Sequence, residues 1–359
     1  MELFRKIRGL LTKPKSKLWW AAVNFGRIPL LVRRRRPGAI VGYVVGGITG
    51  WSVYDYYIKY LAQRSEGRIE SEIRGNKMEL NLRDAGLSRD LFIYGVREER
   101  GTELLERELE KVSQSVENGV VLEIGANIGY FALAELRVLE EGASLIAFEP
   151  DERNANLLER NLELNGYRDV ATIERAVIGP SCGTAEFELT EHSNLNKVRS
   201  ASTSDPVYDT GRTITVDEWS VDEYLDVHEI EPDSVVAARM DVEGYEVSVI
   251  RGMTELLAAD GPLVLSMEIH PARLDPEDIH YLEAQLAENG FSIVDALTET
   301  ITAYPLVRTC SREIKCVDSL PIDGPAYNII LKKFAETQTP SLETDYGNDN
   351  TSTKISSTN

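Results

Sequence analysis

Residues 120–131 read Val-Val-Leu-Glu-Ile-Gly-Ala-Asn-Ile-Gly-Tyr-Phe, and residues 145–150 read Leu-Ile-Ala-Phe-Glu-Pro. The first segment is an apolar run that ends in a glycine turn and opens a helical pattern. The second is an apolar run that ends in a carboxylate, Glu149. A nucleotide-like cofactor needs both parts: a turn whose backbone comes close to it, and an acid that takes its ribose hydroxyls. Glycine at 125 permits a sharp strand-to-helix turn. Gly129 closes that turn, which faces the positive end of the following helix.

The residues between the glycines narrow the choice. A dinucleotide site wants three glycines and room for a pyrophosphate, whereas here Ala126-Asn127 stands where the middle glycine belongs. S-adenosylmethionine has no pyrophosphate but carries an amino-acid end, a sulfonium and a ribose. Glu123 supplies an acid for the cationic amine or sulfonium, Asn127 an amide for hydrogen bonds, and Glu149 both ribose contacts. The expected cofactor set is therefore Glu123, Gly125, Ala126, Asn127, Gly129 and Glu149, with Glu243 as a further pocket or substrate-orienting acid. An NAD-dependent oxidoreductase is the alternative reading of the same turn.

Methyl transfer from such a cofactor is an in-line displacement in which the protein positions the acceptor and, where that is a hydroxyl, removes its proton. In open α/β sheets such work is done at the carboxyl ends of the strands. Asp241 and Glu243 follow the fourth strand of the alternating pattern; Glu268 and His270 end the fifth. Asp241 and His270 are the candidate catalytic residues, His270 because its ordinary pKa suits a general base near neutrality. Asp241 has a structural reading beside this, as the N-cap of the next helix. His192, in a polar stretch running to Thr210, suggests a loop over the site. No grouping of His, Cys and acids has metal-ligand spacing, so no metal is expected.

The elements that position these residues alternate. Strands are predicted at Val120–Ile124, Ser144–Phe148, Ala171–Val177, Ser234–Met240, Leu263–Ile269, Phe291–Val294 and Tyr327–Leu331. Helices are predicted at Tyr130–Leu139, Arg153–Leu164, Val221–Leu225, Glu246–Leu257 and Pro276–Ala287. Thr184–Leu189 is strand-like. Such alternation implies a mostly parallel sheet covered on both faces, a Rossmann-like α/β fold. Upstream, Leu91–Gly95 reads as a strand, and Thr102–Ser115 as a helix with Leu104, Leu105, Leu109 and Val112 on one face.

Charge divides the chain. Residues 1–37 hold eleven Lys and Arg against Glu2, leaving 28 bases and 58 acids in the remainder. That acidic body repels phosphates, so no nucleic-acid partner is expected. Acids in such excess, with Arg favoured over Lys, suit a surface kept hydrated in concentrated salt, a halophilic habit. Residues 1–65 form a basic and aromatic extension. Its best apolar run, Ala39–Trp51, is too short to span a bilayer, and Trp19, Trp20 and Arg33–Arg36 point to a segment lying on an anionic membrane surface. A partner-docking arm is the other reading. Cys182, Cys310 and Cys316 are an odd set without a framework, which favours a reducing, cytoplasmic compartment, peripheral on the inner membrane face if the extension binds lipid. Residues 66–118 are lead-in strands and helix, 119–335 the main domain, and 336–359 a polar, disordered tail.

Val-Leu-Glu-Ile-Gly-Ala-Asn-Ile-Gly-Tyr (121–130), Ala-Phe-Glu-Pro (147–150) with Asn156, Leu157, Asn161 and Asn165 behind it, Ala-Val-Ile-Gly (176–179) and Met-Asp-Val-Glu-Gly-Tyr-Glu (240–246), with the lead-in Tyr-Gly-Val-Arg-Glu (94–98), resemble FkbM-family methyltransferases. The resemblance runs from about Tyr94 to Ala287. It implies a class I methyltransferase fold with a seven-stranded sheet, S-adenosylmethionine as cofactor, and transfer to a hydroxyl of a glycan, a lipid-linked sugar or a similar metabolite. Three positions depart from the family pattern: Glu123 where Asp is usual, Arg239 where Lys is common, and Tyr245 where Ala is common. An Arg cannot lose its proton and act as a base, so proton removal would fall to another residue. A catalytically inactive scaffold at the membrane is the reading this departure leaves beside the enzyme.

Overall fold

The computed structural model describes residues 53–84, 86–190, 192–199, 209–303, 306–311, 317, 320–321, 324 and 326–334. Residues 1–52 of the basic extension, 200–208 of the polar stretch, Cys316 and the tail from 336 lie outside them. The last part of the extension is a helix, α1 (Val53–Arg64), whose Ile58 and Ala62 pack with Leu82 and Ile93 of the body. Among the described residues no helix is long and apolar enough to cross a membrane.

A hairpin follows, β1 (Arg68–Ile73) and β2 (Asn76–Asn81), then α2 (Leu87–Tyr94) and α3 (Glu99–Ser113). The predicted strand at Leu91–Gly95 is thus a helix. Leu87 and Leu91, four apart, are both buried, and Gly95 at φ 72° sends its N–H back to the Leu91 carbonyl as a left-handed cap. The β-branched and aromatic run Phe92-Ile93-Tyr94 suits a strand by itself, and the burial of Leu87 with Leu91 overrides that preference. The predicted helix start at Thr102 lies one turn inside α3.

The strands and helices then alternate as predicted: β3 (Val120–Ile124), α4 (Tyr130–Leu136), β4 (Ser144–Phe148), α5 (Glu152–Asn165), β5 (Ala171–Glu174). The single strand expected over 171–177 breaks at Arg175, and β6 (Ala176–Ile178) leaves for a second sheet with β7 (Gly183–Thr190), β8 (Lys197–Val198) and β9 (Asp209–Trp219). Sequence reading missed β9. Within it only Val216 is buried, so its apolar alternation is too sparse to show. The chain returns through α6 (Val221–Val227) to β10 (Val235–Met240), α7 (Glu246–Arg251), α8 (Thr254–Ala258), β11 (Leu263–Ile269), α9 (Pro276–Glu288), β12 (Ser292–Ala303), β13 (Leu306–Ser311) and β14 (Tyr327–Lys333).

The one helix expected over 246–257 is two. Gly252 lies so close to the Gly179 carbonyl that a Cβ there would sit 2.0 Å from it, and the chain re-starts at α8, whose Glu255 and Leu256 N–H groups donate to Asp222.

The main sheet runs β13-β12-β14-β11-β10-β3-β4-β5. Seven of these strands form the expected sheet with only β14 reversed, and β13 adds an eighth at the edge as a hairpin on β12. Leu122, Ile124, Met240 and Leu265 face one layer, made with α6 to α9; Val121, Leu145 and Ala147 face the other, made with α2 to α5. The direction of winding changes between β3 and β10, which are parallel neighbours far apart in sequence. In open α/β sheets the ligand crevice lies at that point, beyond the strand ends.

Candidate functional site

The glycine turn sits at the switch point. The Gly125 and Ala126 N–H groups both donate to the Phe148 carbonyl at 3.0 Å, which fixes the turn to the end of β4. Gly125 takes φ 84°, and a Cβ on it would lie 2.4 Å from the Asp241 carbonyl oxygen, so only glycine lets the two strand ends meet. Gly125→Ala is therefore expected to force β3 and β10 apart at the cleft. It should weaken cofactor binding at least tenfold and lower Tm by several degrees, the strain being roughly 1–3 kcal/mol. Calorimetry and thermal unfolding read both.

Asn127 is also left-handed, at φ 49°, with its Oδ1 accepting the Ile128 N–H at 2.9 Å. Its backbone N–H donates to Glu149 Oε2 at 2.8 Å. The other oxygen of Glu149 accepts the Asp151 N–H at 2.8 Å. Burial pushes the Glu149 carboxyl up to about 8, and these backbone bonds hold it from going higher. Oε1 also accepts from Asn154 Nδ2 at 3.5 Å, while Oε2 keeps a second acceptor direction. Behind the turn, Asn161 donates to the Ile128 carbonyl at 2.8 Å and accepts the Glu79 N–H, while Asn165 brackets Lys77 in the same way. The two asparagines dock β2 on α5 and so join the lead-in hairpin to the turn.

The turn opens on a cleft of about 910 Å³, its mouth included. Of the predicted residues, Gly125, Ala126, Asn127, Glu149, Asp241 and Glu243 line it; Glu123, His270 and Gly129, which caps α4 against Leu158, do not. Side chains alternate along β3, so Glu123 points with Val121 into the layer under α4. There it is fully buried and bonds Arg239 Nη1 at 2.8 Å. Burial raises its pKa while Arg239 pulls it down. Glu135, equally buried and close to it, has no hydrogen-bond partner on either oxygen and is held well above the carboxylate range by burial and by the Glu123 charge.

Arg239 is a strut between this buried pair and the cleft. Its guanidinium lies 3.4 Å from the Phe131 ring centre, and its Nη2 reaches Asp241 Oδ2 at 3.3 Å. Burial works against its charge, but Glu123 and Asp241 outweigh that and keep it protonated. Asp241 remains partly open to the cleft, its side chain 25% exposed. It does not cap α7, whose N-cap is Tyr245 without a side-chain bond.

His270 is clamped from both sides: Nδ1 is 2.9 Å from Glu246 Oε1 and Nε2 3.4 Å from Glu243 Oε2. Burial opposes its charge, yet Glu246, Glu243 and Asp241 together raise its pKa. An imidazole held charged by carboxylates is a poor base. Its geometry suits positioning instead. Glu246 also takes the Gly244 N–H, Arg273 bonds both the Glu243 carboxylate and its carbonyl, and this ring fixes Glu243 at φ 54° on the cleft.

Sequence reading missed two contributions. Arg97 and Glu98, between α2 and α3, line the cleft, with Glu98 at φ 44° held by Arg97 and by Asn328 at 3.0 Å. Glu98, Asp241 and Glu268 bring one carboxylate oxygen each to within 4.8 Å of one another, a set with the chemistry to hold an ion. No spacing along the chain could show it. Burial and the neighbouring acids Asp241 and Glu98 raise Glu268 well above the carboxylate range, which relieves the repulsion.

Residues 123–293 match the family model of the methyltransferase FkbM domain. The hexuronic acid methyltransferase AglP of Haloferax volcanii is 30% identical over 199 residues, covering 54% of this chain and 74% of that protein. Among solved structures, an S-adenosylmethionine-dependent O-methyltransferase of Thermotoga maritima is 16% identical with a TM-score of 0.35, over 67% of this chain and 66% of that one. An O-methyltransferase of Bacillus cereus in complex with SAH is 10% identical with a TM-score of 0.40, over 78% of this chain and 90% of that one. The cofactor that goes with such a methyltransferase domain is S-adenosylmethionine. The chain belongs to the FkbM methyltransferase family.

Proposed function

We propose that this methyltransferase moves the methyl group of S-adenosylmethionine to a hydroxyl of a sugar, with Asp241 as the base. One observation carries the reading: the Gly125 turn and the partly exposed Asp241 carboxylate meet on the same cleft, on either side of the switch point. The residues present fit the cofactor. Glu149, at the end of β4, has an open acceptor direction on Oε2 and, on Oε1, a long 3.5 Å bond from Asn154 that a second ribose hydroxyl would displace. The cleft is lined by apolar groups such as Ile124 and Phe148 together with a few polar ones, as a small-molecule site is.

When bound, S-adenosylmethionine supplies a methyl carbon already activated by its sulfonium. The chain then has to orient the acceptor oxygen and take its proton. Asp241 faces the cleft and is braced by Arg239, which cannot itself accept a proton. Glu243 and Glu98 offer carboxylate oxygens for the other hydroxyls of a sugar ring. The sugar class is supported by the relative from Haloferax volcanii, which is a hexuronic acid methyltransferase. The brace from Arg239 to Asp241 supports the enzyme reading over an inactive scaffold.

The test is turnover with a panel of free and lipid-linked sugars, including hexuronic acids, with and without a chelator. The expected result is S-adenosylhomocysteine formed one-for-one with a sugar heavier by one methylene, at a rate the chelator leaves unchanged. Cofactor binding without turnover on any sugar would sink the reading in favour of a scaffold. A rate abolished by chelator and restored by magnesium would make the Glu98, Asp241 and Glu268 set a metal site and remove Asp241 as the base.

A further inference from the structure

We infer that Asp84 is a positioning residue for the cofactor, pinning the segment His192–Val198 across the cleft as a wall of the pocket. The inference rests on the cofactor reading above and adds a residue outside the segment that the family model matches. Asp84 follows β2. Its Oδ1 accepts the backbone N–H of Ser193 at 3.0 Å and of Gly86 at 3.3 Å, and its Oδ2 accepts the Ser193 hydroxyl at 2.8 Å. The Ser193 carbonyl in turn accepts from Asn127 Nδ2 at 3.4 Å, and the Asn127 N–H goes to Glu149. A continuous line of hydrogen bonds thus joins the lead-in hairpin, the strap, the glycine turn and the ribose acid.

A second tether closes the far end of the strap. Asn196 donates to Asp151 Oδ2 at 3.1 Å and accepts the Thr190 N–H at 2.7 Å. Between the tethers Ser193, Asn194 and Asn196 line the cleft. Asn194 Oδ1 is buried without a hydrogen-bond partner and packs on Gly86, where a Cβ would meet it at 2.0 Å. Ser193 is 8% exposed, so the strap is seated rather than draped. The short β8 adds backbone pairing with β7 over two residue pairs, Phe187 with Val198 and Glu188 with Lys197. Freed from Asp84, the strap would keep its Asp151 tether and swing from the side that faces the turn.

The experiment measures S-adenosylmethionine affinity by calorimetry, its release by stopped flow with S-adenosylhomocysteine as the chase, and hydrogen exchange of residues 192–198. It compares full-length wild type with Asp84→Ala. Removing an acceptor of three hydrogen bonds is expected to speed both release and exchange about tenfold and to weaken affinity to match. Turnover at saturating cofactor should change much less than affinity. Faster exchange at 192–198 with unchanged release and affinity overturns the inference, as does lower turnover with unchanged affinity. A wild type that binds no S-adenosylmethionine overturns the cofactor reading and this inference together. If Asp84→Ala does not fold, Ser193→Ala removes the hydroxyl bond alone. It is expected to speed release about threefold, and no change in release overturns the inference.

Discussion

Asp241→Asn is expected to bind S-adenosylmethionine nearly as wild type does and to transfer methyl groups to a hydroxyl about 100- to 10,000-fold more slowly, the range a positioned general base supplies. The amide keeps the size of the side chain and can still meet Arg239 through its oxygen, so the strut and the cleft survive. What is lost is the carboxylate on the cleft proposed to take the acceptor proton. Arg239 cannot take it, and His270 lies off the cleft with both nitrogens on carboxylates. His270→Gln should act differently. It leaves the base in place and loosens Glu243, so it should raise the acceptor KM more than it lowers kcat. Steady-state kinetics on both variants separates the two roles. If His270→Gln abolishes turnover while Asp241→Asn retains it, the assignment of the base is wrong.

Glu149→Gln is expected to weaken S-adenosylmethionine binding by a factor of about 100, since two charge-assisted hydrogen bonds to the ribose are worth roughly 3 kcal/mol together. A pH effect sharpens the expectation. Without cofactor, burial pushes the Glu149 carboxyl up to about 8, which favours its protonated form at neutral pH. Ribose hydroxyls donate to the ionised form, so binding expels that proton. Affinity should therefore rise with pH and level off above about 8. The gain from pH 7 to the plateau is about tenfold, because one pH unit below its pKa a group is roughly nine-tenths protonated. Calorimetry in two buffers of different ionisation heat reads the released proton directly. Glu149→Gln should abolish both the proton release and the slope. Affinity in wild type that does not change between pH 6 and 9 would contradict the placement of Glu149 on the ribose.

The same carboxylate affects folding with the opposite sign. A carboxyl whose pKa is raised from 4.5 to about 8 is neutral in the folded chain where the unfolded chain is ionised. Its contribution therefore falls as pH rises from about 4.5 to 8. Bound cofactor offsets that loss by drawing on the ionised form, so the stabilisation by S-adenosylmethionine should grow over the same window.

The glycine turn and the two strand ends were legible in sequence because they are local. A strand, a glycine and a helix start within ten residues leave a pattern that no other local arrangement leaves. The parts that sequence reading misplaced depend on depth or on distance. Glu123 is next to the turn but points away from it, since a strand sends alternate residues to opposite faces, and the motif alone does not say which face holds the ligand. His270 sits at a strand exit as expected. Its role changed because Glu246 and Glu243, more than twenty positions upstream, clamp it. The Arg239–Glu123 pair spans 116 positions and the Ser193–Asp84 bonds 109. Such contacts exist only once the sheet order is set. The Arg97-Glu98 pair was visible within the lead-in motif, but only folding shows that α3 begins at the cleft.

The central claim is that a sugar hydroxyl is the acceptor and that Asp241 takes its proton. The most direct test is to supply S-adenosylmethionine with an isotope-labelled methyl group, isolate the sugar product and locate the label by nuclear magnetic resonance. A sugar acid offers two kinds of oxygen, and only one of them needs a base. The account predicts the label in a methyl ether on a ring hydroxyl, absent from the product of Asp241→Asn. Label in a methyl ester of the sugar carboxylate, formed equally well by Asp241→Asn, would contradict it.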